Sequence, residues 1–490
     1  MLIRTAKALV NDLRPKNQVA ERLLQLEQDI AQATSYPRFH QACLEHDKLS
    51  GAEEWKQDAR SKLYDFNLIH HRLTQLRAAR EQGDVRQLVF HLQESLHGNL
   101  GNIAEDKLYK ESKCGTKHLI ETYLEEVCDA LTYLANNTFD ELPHREKLAF
   151  FRSTGSTFGQ SCLMLSGAAA LGVYHFGVVK TLFEQDLLPK VISGSSAGSV
   201  VAAMVGSKTR DELNEFIYSR DNMVGYMKYI GPSLRANFDA DYFEARLFEL
   251  FGDMTFEEAF EVSGYHINIT VSPNDRHQEA RLLNHLTSPH VLLRSAVRAS
   301  CAAPFLFLPS ELEAKNIKGE VIPYLKGRKF LDGAIGDDLP ITRLQRLYGV
   351  NHSIVSMANP LTMPIYRADP KASNSLTSSF TTFVRNQLVS AVDFGLEVVE
   401  QISPLESLNF TVDRVQALLR MNFHGDIIIM PPVNPMHGIL ALRNHSLNAG
   451  RKYITIAERQ TWEALDQIRN ATMISRTFQD CLQRIEHISD

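Results

Sequence analysis

Ser196 is the residue whose sequence surroundings most clearly indicate chemistry. It is the central serine of a Gly-x-Ser-x-Gly pattern that runs from Gly194 to Gly198. A short apolar run precedes this pattern, and small, mostly apolar residues suited to a closely packed helix follow it. Between a strand and a helix, the two glycines let the backbone turn sharply, so that the serine hydroxyl projects above the edge of a sheet. The pattern therefore predicts a nucleophile elbow with Ser196 as the nucleophile.

A serine nucleophile needs a base and hydrogen-bond donors for the developing oxyanion. In one arrangement, typical of α/β-hydrolases, a histidine late in the chain is the base. The histidines in suitable positions are His352, His424, His437 and His445. In the other arrangement, Asp332, at the end of a predicted strand, accepts the proton of Ser196 without a histidine. The residues alone leave both arrangements open.

A loop of small residues upstream of the elbow offers the donors. An apolar run at 162–165 predicts a strand, residues 166–172 form the loop, and residues 173–185 predict a helix. With the elbow strand they make a β-α-β unit, which implies parallel strands. Because the side chains of the loop are tiny, its backbone N–H groups can approach a negatively charged atom. In the serine–aspartate arrangement we expect the donors to be the N–H groups of Gly167, Ala168, Ala169 and Ala170.

The 490-residue chain is long enough for two or three domains, and its 44% hydrophobic and 22% charged residues are typical of a folded protein. Residues 1–157 are rich in helix-forming residues with apolar positions three and four apart, which predicts a helical N-terminal domain. Residues 158–362 alternate predicted strands and helices and contain the catalytic motifs. Residues 363–490 predict a mainly helical C-terminal extension that packs on or covers the catalytic domain.

Charge, cysteine usage and hydropathy exclude several classes of protein. The formal net charge of −6 gives no sign of a basic nucleic-acid surface. The six cysteines are scattered without a C-x-x-C pair, so neither a zinc site nor a disulfide framework is indicated. The N-terminus lacks the pattern of a secretory signal, and no apolar run is long enough for a transmembrane helix. We expect a cytoplasmic protein without a metal or cofactor, and the sequence predicts no particular oligomeric state.

Three segments, taken together, resemble the patatin-like phospholipases. Residues 166–172 with 174–180 look like the oxyanion segment of that family, and residues 194–198 resemble its nucleophile motif. Residues 332–334, Asp-Gly-Ala, resemble its Asp-Gly-Ala/Gly motif, and all three occur in the family's order. Leu171 stands in place of a basic residue and a long helical region comes first. In this form the chain is similar to the triacylglycerol-lipase-like branch.

The resemblance implies an α/β fold, with a three-layer α/β/α core and a mostly parallel sheet. It implies a lipid acyl hydrolase of the phospholipase A or lipase type, which needs no cofactor. Ser196 would attack the ester carbonyl, Asp332 would act as general base and return the proton, and water would release the fatty acid from an acyl-enzyme. The loop 167–170 would stabilise the oxyanion. The glycines that belong to the family motifs are Gly194, Gly198 and Gly333.

Two departures from the family pattern keep other functions open. The loop is usually a run of glycines, whereas this chain has Ala168 and Ala169, and a positive φ at either alanine would carry a steric cost. The histidine–four residues–aspartate motif of acyltransferase relatives is absent at all 18 histidines, which makes transacylase activity a less favoured interpretation. The alternatives are a catalytically weak membrane- or partner-binding scaffold on a patatin-like core, and a Ser-His-Asp esterase for small soluble esters.

Contact with a membrane or lipid-droplet surface follows from the substrate class, because long-chain lipids are insoluble. Two segments have the apolar residues for such a contact, namely 1–13 and 223–234. Internal packing is the alternative interpretation of both segments.

Overall fold

The structure is a computed structural model that describes residues 18–227, 240–275, 278–303, 308–335, 337–359, 425–432 and 445–487. These residues form two compact units. The first contains residues 18–160 and 462–487, and the second contains the described residues from 161 to 461. The first boundary lies close to the expected one near residue 157.

The first unit is helical, as predicted for the N-terminal region. Its helices are residues 18–32 (α1), Tyr36–Ser50 (α2), Ala52–Gln57 (α3), Phe66–Gln82 (α4), Val85–Ser95 (α5), His118–Asn136 (α6) and His144–Phe158 (α7). Helices α4 and α5 begin after Asp65 and Asp84, whose side chains accept hydrogen bonds from the backbone N–H groups of Leu68 and Gln87. Such caps satisfy donors that the first turn of a helix leaves free.

The C-terminal helix α16, Leu447–His487, extends over 41 residues and changes unit along its length. From Trp462 onward it belongs to the first unit, where Phe478 packs against Phe151 with ring centroids 6.0 Å apart. Ile474 and Ile485 lie in the same apolar core. The C-terminal extension was expected to pack on or cover the catalytic domain, whereas the apolar face of residues 462–487 completes the helical core of the first unit.

The second unit is built on a seven-stranded sheet with the order β4-β3-β2-β1-β8-β9, in which β7 also pairs with β3. The strands are Gln160–Leu165 (β1), Val191–Gly194 (β2), His266–Pro273 (β3), Arg281–Leu283 (β4), Phe330–Asp332 (β7), Val350–Ser356 (β8) and Ile427–Ile429 (β9). Strands β1, β2 and β3 run parallel, as do β8 and β9, whereas β4 and β7 run antiparallel to β3. A separate hairpin joins Glu313–Lys315 (β5) to Val321–Pro323 (β6).

Helices flank this sheet and give the expected three-layer α/β/α architecture. They are Val173–Glu184 (α8), Ala197–Gly206 (α9), Arg210–Tyr218 (α10), Arg220–Met227 (α11), Ala240–Phe251 (α12), Phe256–Ser263 (α13), Leu293–Ser300 (α14), Ile341–Tyr348 (α15) and the first part of α16. All ten residues of α9 are buried, and the helix packs on β2 and β3. Along the described part of the chain, no helix combines the length and apolar character needed to cross a membrane.

Candidate active site

Ser196 lies in a sharp turn between β2 and α9, as the pattern predicts. Its φ of +50° and ψ of −123° place it in a region that residues with a side chain rarely adopt. A Cβ added to Gly194 would lie 2.3 Å from the carbonyl oxygen of Gly198. A Cβ added to Gly198 would lie 2.2 Å from the carbonyl oxygen of Leu165. Both positions therefore require glycine, and the turn has the geometry of a nucleophile elbow.

Ser300, the last residue of α14, forms hydrogen bonds with both the elbow and the sheet. It is fully buried, and its hydroxyl oxygen accepts a hydrogen bond of 3.0 Å from the Ser196 N–H. The same hydroxyl donates to the carbonyl oxygen of Thr270 on β3 at 2.7 Å. Ser300 thus joins the elbow to the sheet. No local pattern marks a serine at the end of a helix as a support, so this role of Ser300 is not visible in the sequence.

Asp332 stands at the end of β7 and is only 4% exposed. Its strand pairs with β3 so that Asp332 lies opposite Val271, the residue after Thr270. One carboxylate oxygen, Oδ1, accepts a hydrogen bond of 2.9 Å from the Ala334 N–H. A Cβ on Gly333 would lie 2.0 Å from the Thr270 carbonyl oxygen, so only glycine permits this turn.

The small-residue loop meets both of these segments at Gly167. A Cβ added there would lie 2.7 Å from the Cβ of Ala334 and 3.5 Å from the Cβ of Ser196. The loop, the elbow and the turn after Asp332 are far apart in the sequence. The structure therefore brings the three predicted motifs together at one point.

The donors in the loop differ from the expectation in one respect. The N–H of Gly167 donates to Oδ1 of Asp338 at 2.7 Å, so this group already has a partner and does not face an oxyanion. Among the described residues, the N–H groups of Ala168, Ala169 and Ala170 have no acceptor. Ala169 has a φ of +46°, so the steric cost foreseen for an alanine in this loop falls on Ala169, whereas Ala168 has a φ of −151°.

Asp338 is a buried carboxyl group, 2% exposed, that the sequence analysis did not assign to the site. Besides the Gly167 N–H it accepts a hydrogen bond from Nδ2 of Asn359 at 3.2 Å. The pKa of Asp338 is raised to about 7, mainly by burial and also by the nearby carboxylates of Asp332 and Asp337. The two hydrogen bonds lower the pKa but do not outweigh burial. A second aspartate close behind Asp332 was the sequence signal that could have found it.

His175, in the first turn of α8, also forms a hydrogen bond with the loop. Its Nε2 lies 2.9 Å from the Ser166 carbonyl oxygen, and its Nδ1 lies 2.7 Å from Oγ of Ser356. A carbonyl oxygen can only accept, so Nε2 carries the proton and Nδ1 accepts from the Ser356 hydroxyl. Burial lowers the pKa of His175 to about 4, although the hydrogen bond to Ser166 favours the charged form. His175 is therefore neutral near pH 7 and holds the loop.

Of the late histidines that an α/β-hydrolase arrangement would recruit, neither His352 nor His445 makes a hydrogen bond to Ser196 among the described residues. His352 lies in the first half of β8, whereas the end of that strand, Ser356, accepts a hydrogen bond from the N–H of Ser166 next to the loop. Four strand residues span about 13 Å. The ring of His445 packs against Tyr453. His424 and His437 lie outside the described residues.

Two arginines of α14 form ion pairs within the protein. Arg294 and Arg298 lie on α14, and their spacing suggests a solvated helix face. Instead Arg294 pairs with Asp253 and with Glu313, and Arg298, 7% exposed, pairs with an acidic residue of α12. Neither arginine is thus free to bind a lipid phosphate.

The two predicted membrane segments lie partly or wholly outside the described residues. Residues 1–13 and 228–234 are among those that the structure does not describe. In the described part of the second segment, Met223, Tyr226 and Met227 are at most 6% exposed and pack internally.

One group of side chains in the first unit has the donor types of a metal site. The donor atoms of His40, Cys114 and Asp466 lie within 4.8 Å of one another. The Cys114 thiol, however, donates to Asp47 at 3.5 Å, and Asp466 accepts from Arg469 at 2.7 Å. Burial also raises the pKa of the Cys114 thiol, which disfavours the thiolate that a metal requires. We therefore assign no metal to this group.

Comparisons with known proteins give two domain matches, to a domain of unknown function (DUF3336) over residues 16–156 and to patatin-like phospholipase over residues 163–344. The chain is 31% identical to triacylglycerol lipase ptl3 of Schizosaccharomyces pombe, over 89% of this chain and 93% of that protein. The chain belongs to the patatin-like phospholipase family. The resemblance to that family is thereby confirmed, and the match to this relative covers 89% of the chain.

Two further relatives are longer proteins. Triacylglycerol lipase SDP1L of Arabidopsis thaliana is 31% identical over 89% of this chain and 57% of its own length. Triacylglycerol lipase 4 of Saccharomyces cerevisiae is 32% identical over 89% of this chain and 50% of its own length. The chain thus spans about half the length of these curated relatives.

Proposed function

We propose that this protein hydrolyses fatty-acyl esters of lipids with a catalytic dyad of Ser196 and Asp332. The observation that carries the proposal is the meeting of three motifs at Gly167, where a Cβ would touch both the elbow and the turn after Asp332. The positive φ of Ser196 supports its role, because strain of this kind is stored where a side chain must be presented for chemistry. The names of the relatives support lipid esters as substrates.

In the proposed reaction, Oγ of Ser196 attacks the carbonyl carbon of the ester, and its proton passes to the Asp332 carboxylate. The tetrahedral intermediate collapses, and the leaving alcohol takes that proton. Water then attacks the acyl-serine with Asp332 again accepting a proton, which returns to Oγ of Ser196 as the fatty acid leaves. Asp332 therefore ends each cycle ionised, as it began.

The oxyanion donors in this proposal are the N–H groups of Ala168, Ala169 and Ala170. Removing one preorganised donor from such a site typically costs about 3–4 kcal/mol of transition-state stabilisation. Two anchors hold the loop in place, namely the carboxyl of Asp338 on the Gly167 N–H and the ring of His175 on the Ser166 carbonyl oxygen. We assign Asp338 the role of a positioning residue, since its carboxyl accepts hydrogen bonds from the loop and from Asn359.

The substrate class in this proposal is an acylglycerol rather than a phospholipid, because the named relatives are triacylglycerol lipases. Such a substrate resides in a membrane or a lipid droplet, so in this proposal the protein contacts the surface of that membrane or droplet.

The test is hydrolysis of emulsified triacylglycerol, phosphatidylcholine and a soluble short-chain ester by Ser196→Ala and Asp332→Ala. We expect a loss of on the order of a thousandfold or more for Ser196→Ala. For Asp332→Ala we expect about a hundredfold or more, the range of general-base catalysis. Ser193→Ala is a matched control, because Ser193 is a buried serine whose hydroxyl has no partner among the described residues.

The outcomes separate the alternatives. Activity that survives Ser196→Ala contradicts any serine mechanism at this site. Activity that survives Asp332→Ala but disappears when a late histidine is replaced indicates a Ser-His-Asp esterase. If the unmodified chain binds lipid but hydrolyses none of the three esters, the protein is a lipid-binding scaffold. The alanines of the loop keep that alternative open.

A further inference from the structure

The β5–β6 hairpin displays an aliphatic side chain at its tip. Ile317 lies in the turn and is fully exposed. The turn is braced, because Oδ1 of Asn316 accepts hydrogen bonds from the N–H groups of Lys318 and Glu320 at 2.8 and 3.0 Å. Gly319 has a φ of +79°, which completes the tight turn. The exposure of Ile317 is therefore a property of an ordered turn.

The second strand of the hairpin extends this apolar surface. Val321 and Ile322 of β6 are 39% and 42% exposed. Within the described residues, β6 pairs with β5 alone, so its other edge is open. An open edge with bulky aliphatic residues favours association, and proteins usually cover or charge such an edge. The hairpin thus has the character of a docking element.

Basic residues lie in the same segment of the chain as the aliphatic ones. Residues 317–329 contain four basic residues and one acidic residue, a local net charge of +3 in a chain of net charge −6. The basic residues, all exposed, are Lys318, Lys326, Arg328 and Lys329. No ion pair is found for any of them along the described part of the chain, whereas Lys315 at the base of the hairpin pairs with Glu258. These four charges are available to an anionic partner.

The segment also leads directly into the candidate active site. Lys329 is followed by β7, whose last residue is Asp332. The backbone of Lys329 is fixed, since its carbonyl oxygen accepts a hydrogen bond of 2.9 Å from the Asn274 N–H. Three strand residues span about 10 Å. A surface bound by the basic segment therefore lies close to the carboxylate that acts as base in the proposed reaction.

We propose that residues 317–329 dock the protein on an anionic lipid surface. Ile317 and its aliphatic neighbours enter the boundary between headgroups and acyl chains, while the four basic side chains meet lipid phosphates. An acidic protein partner would account for the charges but not for a rigid aliphatic tip. Because the rest of the chain is acidic on balance, an anionic surface attracts this segment selectively and so sets the orientation. The inference rests on the proposed function for its choice of a lipid partner.

The experiment is co-sedimentation of the full chain with phosphatidylcholine vesicles, alone or containing about one-third phosphatidylserine. We expect tighter binding to the anionic vesicles, weakened by salt. The triple variant K326E/R328E/K329E is expected to bind them about tenfold or more weakly. Ile317→Ser is expected to bind both kinds of vesicle about threefold to tenfold more weakly.

A matched control is K62E/R86E/K107E, which makes the same change in net charge at three exposed positions of the first unit. It is expected to bind within about twofold of the unmodified chain, because these charges lie outside the docking segment. Equal loss of binding in the control and in K326E/R328E/K329E, or no loss in either, overturns the proposal. An unmodified chain that fails to bind anionic vesicles overturns it as well.

Failure of the docking proposal is distinguishable from failure of the proposed reaction. K326E/R328E/K329E should hydrolyse a soluble short-chain ester at the rate of the unmodified chain, and Ser196→Ala should bind vesicles as tightly as the unmodified chain. Vesicle binding without any ester hydrolysis supports the docking surface and contradicts the reaction. If K326E/R328E/K329E hydrolyses the soluble ester normally and also binds vesicles as tightly as the unmodified chain, only the docking surface is contradicted.

Discussion

Two aspartates, one in each unit, are similarly buried, but their pKa values are shifted in opposite directions. In the first unit, Asp47 contacts the Lys56 ammonium at 2.8 Å and accepts from the N–H groups of Lys113 and Cys114. Burial alone would raise the pKa of Asp47, but these partners outweigh it and hold the pKa below its usual range. In the second unit, burial raises the pKa of Asp338 to about 7, and two further carboxylates lie nearby.

The difference separates a structural ion pair from a carboxyl group at a functional site. A buried charge with a bonded counter-ion holds elements of a fold together, and its removal costs stability. A buried carboxyl that has only N–H donors and further carboxylates nearby is poised to change protonation near neutral pH, which is characteristic of active sites. We therefore expect changes at Asp47 to alter stability and changes at Asp338 to alter catalysis.

The largest expected effect is on the ion pair of the first unit. Lys56→Met leaves the buried Asp47 carboxylate without its counter-ion, and such a loss typically costs about 3–5 kcal/mol in the free energy of unfolding. Chemical denaturation measures it, with Lys62→Met at an exposed position as the control. Ester hydrolysis per folded molecule should be unchanged, and a selective loss of kcat would contradict the assignment of this pair as structural.

The next effect is on catalysis. Asp338→Leu removes the acceptor of the Gly167 N–H, and we expect kcat to fall about ten- to a hundredfold as the oxyanion donors lose their alignment. KM for a soluble ester should change little, because these donors act in the transition state. Asp338→Asn keeps an acceptor oxygen and should restore most of kcat. If the asparagine variant is as inactive as the leucine variant, Asp338 does not act by positioning the loop.

The two aspartates should also give opposite dependences of stability on pH. The folded pKa of Asp338, about 7, lies above its ordinary value of 3.8, so its contribution is fully present below about pH 4 and is lost as pH rises through 7. The folded pKa of Asp47 is lowered, so its contribution is present above pH 3.8 and is lost as pH falls through the folded pKa.

Urea denaturation between pH 4 and 8 measures the first dependence. Asp338→Asn should flatten the fall in stability toward pH 7, while Asp211→Asn, at an exposed position, should leave the profile unchanged. An identical profile for Asp338→Asn and the unmodified chain would mean that this carboxyl does not retain its proton on folding.

The smallest expected effect concerns the strained alanine of the loop. Ala169→Gly removes the strain of a positive φ, which costs an alanine about 1–2 kcal/mol. Glycine also gives the unfolded chain more conformational freedom, which lowers the free energy of unfolding by about 0.4–1 kcal/mol. We expect a net gain of about half a kcal/mol in unfolding free energy, and kcat equal to or slightly above the original. Loss of kcat in this variant would show that the strain itself helps to aim the N–H donors.

Sequence reasoning succeeded where a local pattern imposes a local conformation. Gly194 and Gly198 are needed because carbonyl oxygens approach within 2.3 Å of where their Cβ atoms would be, and Gly333 is needed for the same reason. The apolar runs predicted strands because buried parallel strands are apolar on both faces. The elbow, the loop and the turn after Asp332 could therefore each be placed before the structure was known.

Residues that act through long-range contacts could not be predicted in this way. Asp338 reaches Gly167 across 171 positions, and Ser300 reaches Ser196 across 104. The spacing of Arg298 along its helix suggests a solvated face, whereas its acidic partner, Glu244 on α12, is not visible from the sequence. The helical pattern of the C-terminus likewise does not reveal which core its apolar face completes.

The most direct test of the dyad is the rate at which a lipid-like fluorophosphonate modifies the protein, followed by intact-protein mass spectrometry and peptide mapping. We predict that the unmodified chain is labelled once, at Ser196. We predict that Asp332→Asn is labelled about a hundredfold or more slowly, because the general base that activates Oγ is lost. Labelling of Asp332→Asn at the original rate, or labelling at another residue, would contradict the account.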